Sequence, residues 1–267
     1  MFDQRSSSIP RVLRGRARLA LVNVAQSTAA IPSRPLRDHG VTERARRIQL
    51  PTPPGWQRSR VDRVDLMVLI DDSGSMYGMQ GDPLGVRRAA ALSVVALLAK
   101  GSDSRRGAAR VGVVHFGSSA PLELALPLTD VRERRIVERA MRLPPPLGGT
   151  NVGAALARVH DLLSAEVRRL PIVVVVTDGI EAVGAEVARE LSRLPVGAVH
   201  VVLVDHSGGC DAVLEACWRS LSLGSFERLN VLDVAQMAWQ IANVVTRAVG
   251  LSLPPLNFRQ SNPPPRR

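Results

Sequence analysis

Four short runs of apolar, mostly β-branched residues constrain this chain more than any other feature: VDLMVLI (Val64 to Ile70), VGVVHF (Val111 to Phe116), IVVVV (Ile172 to Val176) and AVHVVLV (Ala198 to Val204). They are apolar at odd and even positions alike, so both faces of each strand must be covered. Amphipathic stretches separate them. Asp82-Pro83 reads as the N-cap and first-turn proline of a helix running to Ala99. Val152, Leu156, Val159, Leu163 and Val167 keep the helical period, and further helices are expected near 131–142, 184–194, 211–221 and 233–249. LELALPL (Leu122 to Leu128) alternates instead, as an edge strand paired antiparallel to its neighbour does. This order of elements predicts an α/β fold: an open, Rossmann-like, doubly wound sheet with helices on both faces. Ligands of such sheets gather beyond the carboxyl ends of the strands.

The formal net charge of +11 is unevenly placed: residues 1–61 carry +9, residues 62–253 carry −1, and the last fourteen residues add +3. Prolines concentrate in the same two tails. The chain therefore divides into a basic, Pro/Arg-rich arm (1–61), mostly extended; a folded domain (62–253); and a Pro/Arg-rich tail (254–267). Such an arm suits nucleic acid, anionic lipid or an acidic protein surface, and equally a solvated tail. The longest apolar run in the helical regions, Ala89 to Ala99 broken by Ser93, is shorter than the roughly 18–20 residues of a bilayer span, so no membrane span is expected. Asn23 interrupts the apolar run Leu19 to Ala25, which speaks against a signal peptide and for a cytoplasmic protein. Cys210 and Cys217 would lie two turns apart on one helix, a separation that suits reduced thiols better than a disulfide.

Three polar loops fall where the fold would gather them. The first strand runs into Asp71-Asp72-Ser73-Gly74-Ser75; LGGTN (Leu147 to Asn151) leads into a helix; VVTDG (Val175 to Gly179) ends the most apolar strand. Together Asp71, Ser73, Ser75, Thr150 and Asp178 would form a cluster of hard oxygen donors. A few restrained oxygens with room for water suit Mg²⁺, which keeps part of its hydration shell. Alternation along an extended stretch places Asp71, Ser73 and Ser75 on one side and Asp72 on the other.

Asp71-x-Ser73-x-Ser75 with Thr150 in a GGTN loop and Asp178 in a TDG loop resembles the metal-ion-dependent adhesion site of von Willebrand factor A domains, over about residues 62–250. The resemblance implies a six-stranded sheet with one antiparallel edge strand and Mg²⁺ or Mn²⁺ at its top. It also implies a coordination position open to an aspartate or glutamate from a partner protein. Ser73, Ser75 and Thr150 would bind more directly, Asp71 and Asp178 largely through water. Bacterial intracellular members commonly work with AAA+ ATPases of the MoxR or chelatase type, some of them in stress or defence systems. Asp72 and the arms are not part of the family's required set.

Other readings of these residues fit less well. A haloacid-dehalogenase phosphatase needs a second aspartate where Ser73 stands. An EF-hand loop needs a glycine two positions after Gly74 and a glutamate at position 12. No G-x-S-x-G elbow lies near a strand end. Plain capping of helices and turns accounts for any one loop but not for three that converge. His115 reads as a satisfied core histidine, and His160 as a residue on a polar helix position. Arg87, Arg88, Arg134, Arg135, Arg168 and Arg169 read as solvated helix faces, Trp218 and Trp239 as core, and Asp205-His206 as a turn on the edge that carries the cluster. No nucleophile and base pair emerges, so the expectation is a protein-binding adaptor rather than an enzyme. The alternative is a nucleic-acid-associated protein that binds phosphate through its arms while the core recruits a partner.

Overall fold

The computed structural model describes residues 45–56, 61–78, 81–102, 108–163, 169–179, 184–205, 212–229 and 233–255. The arm up to residue 44, the tail from residue 256, Arg168 with the stretch 164–167, His206, Gly208, Gly209 and Cys210 lie outside these residues. In chain order the elements are β1 (Val64–Asp71), α1 (Gly74–Tyr77), α2 (Val86–Gly101), β2 (Arg110–Phe116), β3 (Ala125–Asp130), α3 (Arg134–Ala140) and α4 (Val152–Leu162). They continue with β4 (Leu170–Thr177), α5 (Ala185–Ser192), β5 (Val199–Val204), α6 (Ala212–Arg219), β6 (Ser225–Leu229) and α7 (Val234–Ala248).

The strands form one six-stranded sheet in the order β3-β2-β1-β4-β5-β6, with β2 and β3 antiparallel and every other pair parallel. β1 is central and buried along its whole length. Its alternation divides the core. Val64, Leu66, Val68 and Ile70 pack with α2 and α7, whereas Met67 and Leu69 pack with Val152, Leu156 and Val159 of α4, Val187 of α5 and Trp218 of α6. α2 packs against both β1 and α7, and it is apolar around most of its circumference because little of it meets water. Among the described residues no helix is long and apolar enough to cross a membrane.

Two boundaries and one whole strand differ from the sequence expectation. The helix after Asp82 begins at Val86, because Gly85 takes a left-handed φ of 71° and turns the chain first. Asp82 still caps it, its Oδ1 accepting from the Val86 amide and its Oδ2 from the Arg87 amide at 2.7 and 2.8 Å. The edge strand starts at Ala125, since Leu122–Leu124 close a 3-10 turn onto Pro121. β6, the other edge, carries Glu227 and Arg228 among only two apolar residues and has no sequence signature of a buried strand.

Residues 45–53 form no helix or strand, yet the segment joins the core. Leu50 and Trp56 are buried, the Trp56 Nε1–H donates to the Leu97 carbonyl at 3.1 Å, and the Ile48 amide donates to Ser93 Oγ at 3.0 Å. Arg169 is not a solvated residue: it forks onto Asp65 at the amino end of β1. Trp218 is core as expected, on the α4 side of the sheet, and Trp239 of α7 packs, partly buried, against the core on the α2 side.

Candidate functional site

β1 ends on Asp71, whose neighbour across β2 is Phe116. One further ladder bond, Asp72 N to Phe116 O at 2.7 Å, carries the loop past the end of the sheet, and Ser73 then N-caps the single turn α1. The 147–151 loop is clamped between the loops that follow β1 and β2. Leu147 N donates to Asp72 O at 2.8 Å, Gly74 N to Gly148 O at 2.7 Å, Ser118 N to Leu147 O at 3.0 Å and Asn151 N to Gly117 O at 2.7 Å. Gly148 has φ +87°, and a Cβ there would meet Ser118 Oγ at 2.5 Å, so glycine is required on both counts. Thr150, buried, precedes Asn151, whose side chain caps α4 by accepting from the Ala154 amide at 2.8 Å.

Asp71 is fully buried. Its Oδ1 accepts from the Ser73 amide at 2.8 Å and its Oδ2 from Thr177 Oγ1 at 2.6 Å, which ties the end of β1 to the end of β4, one residue before Asp178. Ser73 Oγ and Ser75 Oγ lie 3.0 Å apart. Burial pushes the Asp71 carboxyl up to about 6 against the hydrogen bonds from Thr177 and Ser73, and the negative charge of Asp178 adds to the rise. Among the described residues no cation pairs with Asp71. Asp71, Ser73, Ser75 and Asp178 thus share one end of the sheet, and Thr150 sits in the loop hydrogen-bonded to Gly74.

The donor set is two carboxylates and three hydroxyls, all oxygen, and the exposed Gly74, Gly148 and Gly149 leave one side open to solvent. That chemistry fits a hard divalent cation with retained water. Among the described residues no group of three or more His, Cys, Asp or Glu side chains is placed to hold a metal ion, so any such site here depends on hydroxyls.

Asp72 faces away from Asp71, as its place in the alternation predicts, and into a buried network. Its Oδ1 accepts from Arg87 Nη2 at 2.8 Å and from the Tyr77 hydroxyl at 3.0 Å; its Oδ2 lies 2.5 Å from His115 Nδ1. Arg87, expected on a solvated helix face, is completely buried and also pairs with Asp82 through Nη1 at 3.0 Å. Burial works against its charge, but Asp72 and Asp82 outweigh burial and hold the guanidinium above its ordinary range. The Tyr77 phenol is pushed far above its usual value, first by burial and then by the charge of Asp72. His115 is the satisfied core histidine expected, with Nε2 2.7 Å from the Ala140 carbonyl. Neither Tyr77 nor Arg87 carried a sequence signal for this role; only a carboxylate set opposite in phase to Asp71 hinted that a counter-charge was needed. Asp205 is occupied as well, accepting from Arg228 Nε at 2.9 Å and holding β5 to β6.

Residues 66–181 match the family model of the von Willebrand factor type A domain. Solved structures with a similar fold include the conserved hypothetical protein BatB from Bacteroides thetaiotaomicron, at 16% identity and a TM-score of 0.50 over 70% of this chain and 99% of that one. A von Willebrand factor type A protein from Catenulispora acidiphila has 20% identity and a TM-score of 0.53 over 71% of this chain and 43% of that one. Proximal thread matrix protein 1 from the mussel byssus, in a structure with a zinc-occupied MIDAS motif, has 17% identity and a TM-score of 0.51 over 72% of this chain and 47% of that one. The match thus spans under half the length of the latter two. A comparison with curated protein sequences finds no match.

Proposed function

With residues 66–181 forming a von Willebrand factor type A domain, we propose that this chain is a metal-dependent protein-binding module whose ion is held by Asp71, Ser73, Ser75, Thr150 and Asp178. The observation that carries the reading is Asp71: a fully buried carboxylate, raised to about 6, with hydroxyl and amide donors but no cation beside it among the described residues. A divalent ion supplies the missing positive charge and a coordination position for an incoming oxygen ligand. The chain's own part is to hold Ser73 and Ser75 side by side, to keep Asp71 aimed by Thr177, and to present Thr150 from a loop bonded to Gly74. Only two carboxylates face the site, since Asp72 is committed to Arg87 and His115. The +2 ion is then matched rather than overcompensated, which leaves it able to take an aspartate or glutamate from a partner protein.

Oxygen donors favour Mg²⁺ or Mn²⁺; the mussel protein shows that a related site accepts zinc. The reading is non-enzymatic and places the chain in the cytoplasm, as a scaffold beside an AAA+ ATPase of the MoxR or chelatase type. Calorimetry on the full chain tests the site: one Mg²⁺ or Mn²⁺ is expected, lost in Asp71→Ala, and undiminished binding by that variant sinks the assignment. Capture of a partner should be abolished by EDTA and by Thr150→Ala, and capture that survives both moves the binding surface elsewhere. The +9 charge of residues 1–61 favours one second reading, phosphate contact by the arm with the core as recruiter. Its mark is nucleic-acid affinity that falls steeply with salt.

A further inference from the structure

The segment between α3 and α4 has no regular structure of its own, and it carries Thr150. Besides its bonds to Gly74 and to the loop after β2, three ties on the segment and on the end of α3 that leads into it converge on Asp72. The Leu147 amide donates to the Asp72 carbonyl at 2.8 Å. The Tyr77 hydroxyl contacts both Asp72 Oδ1 and the Pro144 carbonyl. His115 bridges Asp72 Oδ2 and the Ala140 carbonyl at 2.5 and 2.7 Å. The cluster sets the Arg87 guanidinium and the His115 ring against two carboxylates, Asp72 and Asp82.

Burying four such groups brings little stability compared with an apolar core of the same volume, whereas it fixes one geometry. Asp72 is covalently between Asp71 and Ser73, so whatever holds Asp72 also holds them. We propose that Tyr77 and His115 are positioning residues for the metal site: acting through Asp72, they set the distance from Thr150 to Asp71, Ser73 and Ser75. The proposal rests on the metal-binding reading above. Neither side chain hydrogen-bonds to a side chain of the proposed ligands, and Tyr77, stacked against the Arg87 guanidinium at 5.1 Å, is held in place before any ion arrives.

A double-mutant cycle on the full chain tests it, with Mn²⁺ affinity by calorimetry and the thermal midpoint measured alongside. Tyr77→Phe keeps the ring and removes only the hydroxyl; it should weaken Mn²⁺ binding about 10-fold, in the range of outer-shell substitutions, with the chain still folded. If it acts through Thr150, Tyr77→Phe added to Thr150→Ala weakens binding no further than Thr150→Ala alone. Affinity equal to the parent, or losses that multiply in the double variant, overturns the proposal. His115→Gln repeats the cycle should Tyr77→Phe fail to fold, with the same two outcomes deciding. A parent chain that binds no Mn²⁺ sinks the metal-site reading and this inference with it, which separates that failure from one in which the parent binds and Tyr77→Phe is silent.

Discussion

β1 buries one carboxylate near each end, and the two are finished in opposite ways. At the amino end Asp65 receives two guanidinium groups. Arg110 donates through Nε at 2.8 Å and Nη2 at 2.6 Å; Arg169 donates through Nε at 2.9 Å and Nη2 at 2.5 Å. Arg169 also reaches the carbonyls of Asp62, Val64 and Ala108 at 2.9, 3.1 and 3.2 Å, closing that end of β1, β2 and β4. Trp56 seals the neighbouring end of α2, and a Cβ on Gly101 would collide with its Nε1 at 2.5 Å. At the carboxyl end Asp71 has one hydroxyl and one amide donor, a second carboxylate acting on it, and no cation among the described residues. An end whose charges the protein balances itself is structural. On the metal-binding reading proposed above, the end where Asp71 has no cation beside it among the described residues takes one from outside.

The sharpest ways to break this contrast come from the closed end. Trp56→Ala should cost about 3–5 kcal/mol by urea unfolding, the toll of emptying a buried aromatic site. Asp65→Ala should cost about 3 kcal/mol, because it leaves two partly buried guanidinium groups uncompensated. At the open end the sign reverses. The folded chain keeps the Asp71 proton to about pH 6, while the unfolded chain releases it near 3.8. Between those values the folded state binds more protons, so the stability of the ion-free chain falls as pH rises, by about 3 kcal/mol in all. Asp71→Asn measured in EDTA at pH 7.5 should therefore be more stable than the parent, by about 1–3 kcal/mol, and should lose that pH dependence. A loss of stability in Asp71→Asn equal to that in Asp65→Ala would erase the difference between the two ends. Mg²⁺ should raise the parent's thermal midpoint more at pH 7.5 than at pH 5, and an equal rise at both would speak against Asp71 as the group that senses the ion. The smallest effect belongs to Asn151→Ala, about 1 kcal/mol from loss of the α4 cap, with the Asp65 end untouched.

The sequence by itself determined what is encoded within a few residues. Double-faced apolar runs specify buried parallel strands because the pleat alternates strictly. Asp71 and Asp72 point apart for the same reason, whereas Ser75 comes beside Ser73 because the chain turns into α1 there, where the extended alternation no longer holds. The loops bearing Thr150 and Asp178 announced themselves by glycine and by their place after or before apolar runs. β6 stayed hidden because an edge strand needs only one apolar face and hydrogen bonds from one neighbour, so its composition is close to that of a loop. Trp56 and Leu50 were hidden among prolines and arginines that usually mark an unpacked tail.

Only the tertiary structure decided which charges meet. Asp72 finds Arg87 fifteen residues away and His115 forty-three away, and Asp65 finds Arg169 across 104 residues. Those pairings depend on which face of α2 turns toward the sheet and on strand register, neither of which a local pattern contains. Arg87 looks the same in sequence on a wet face or a buried one. What separates the two is the direction in which the helix packs, and that is settled by the apolar contacts of the whole domain rather than by the arginine.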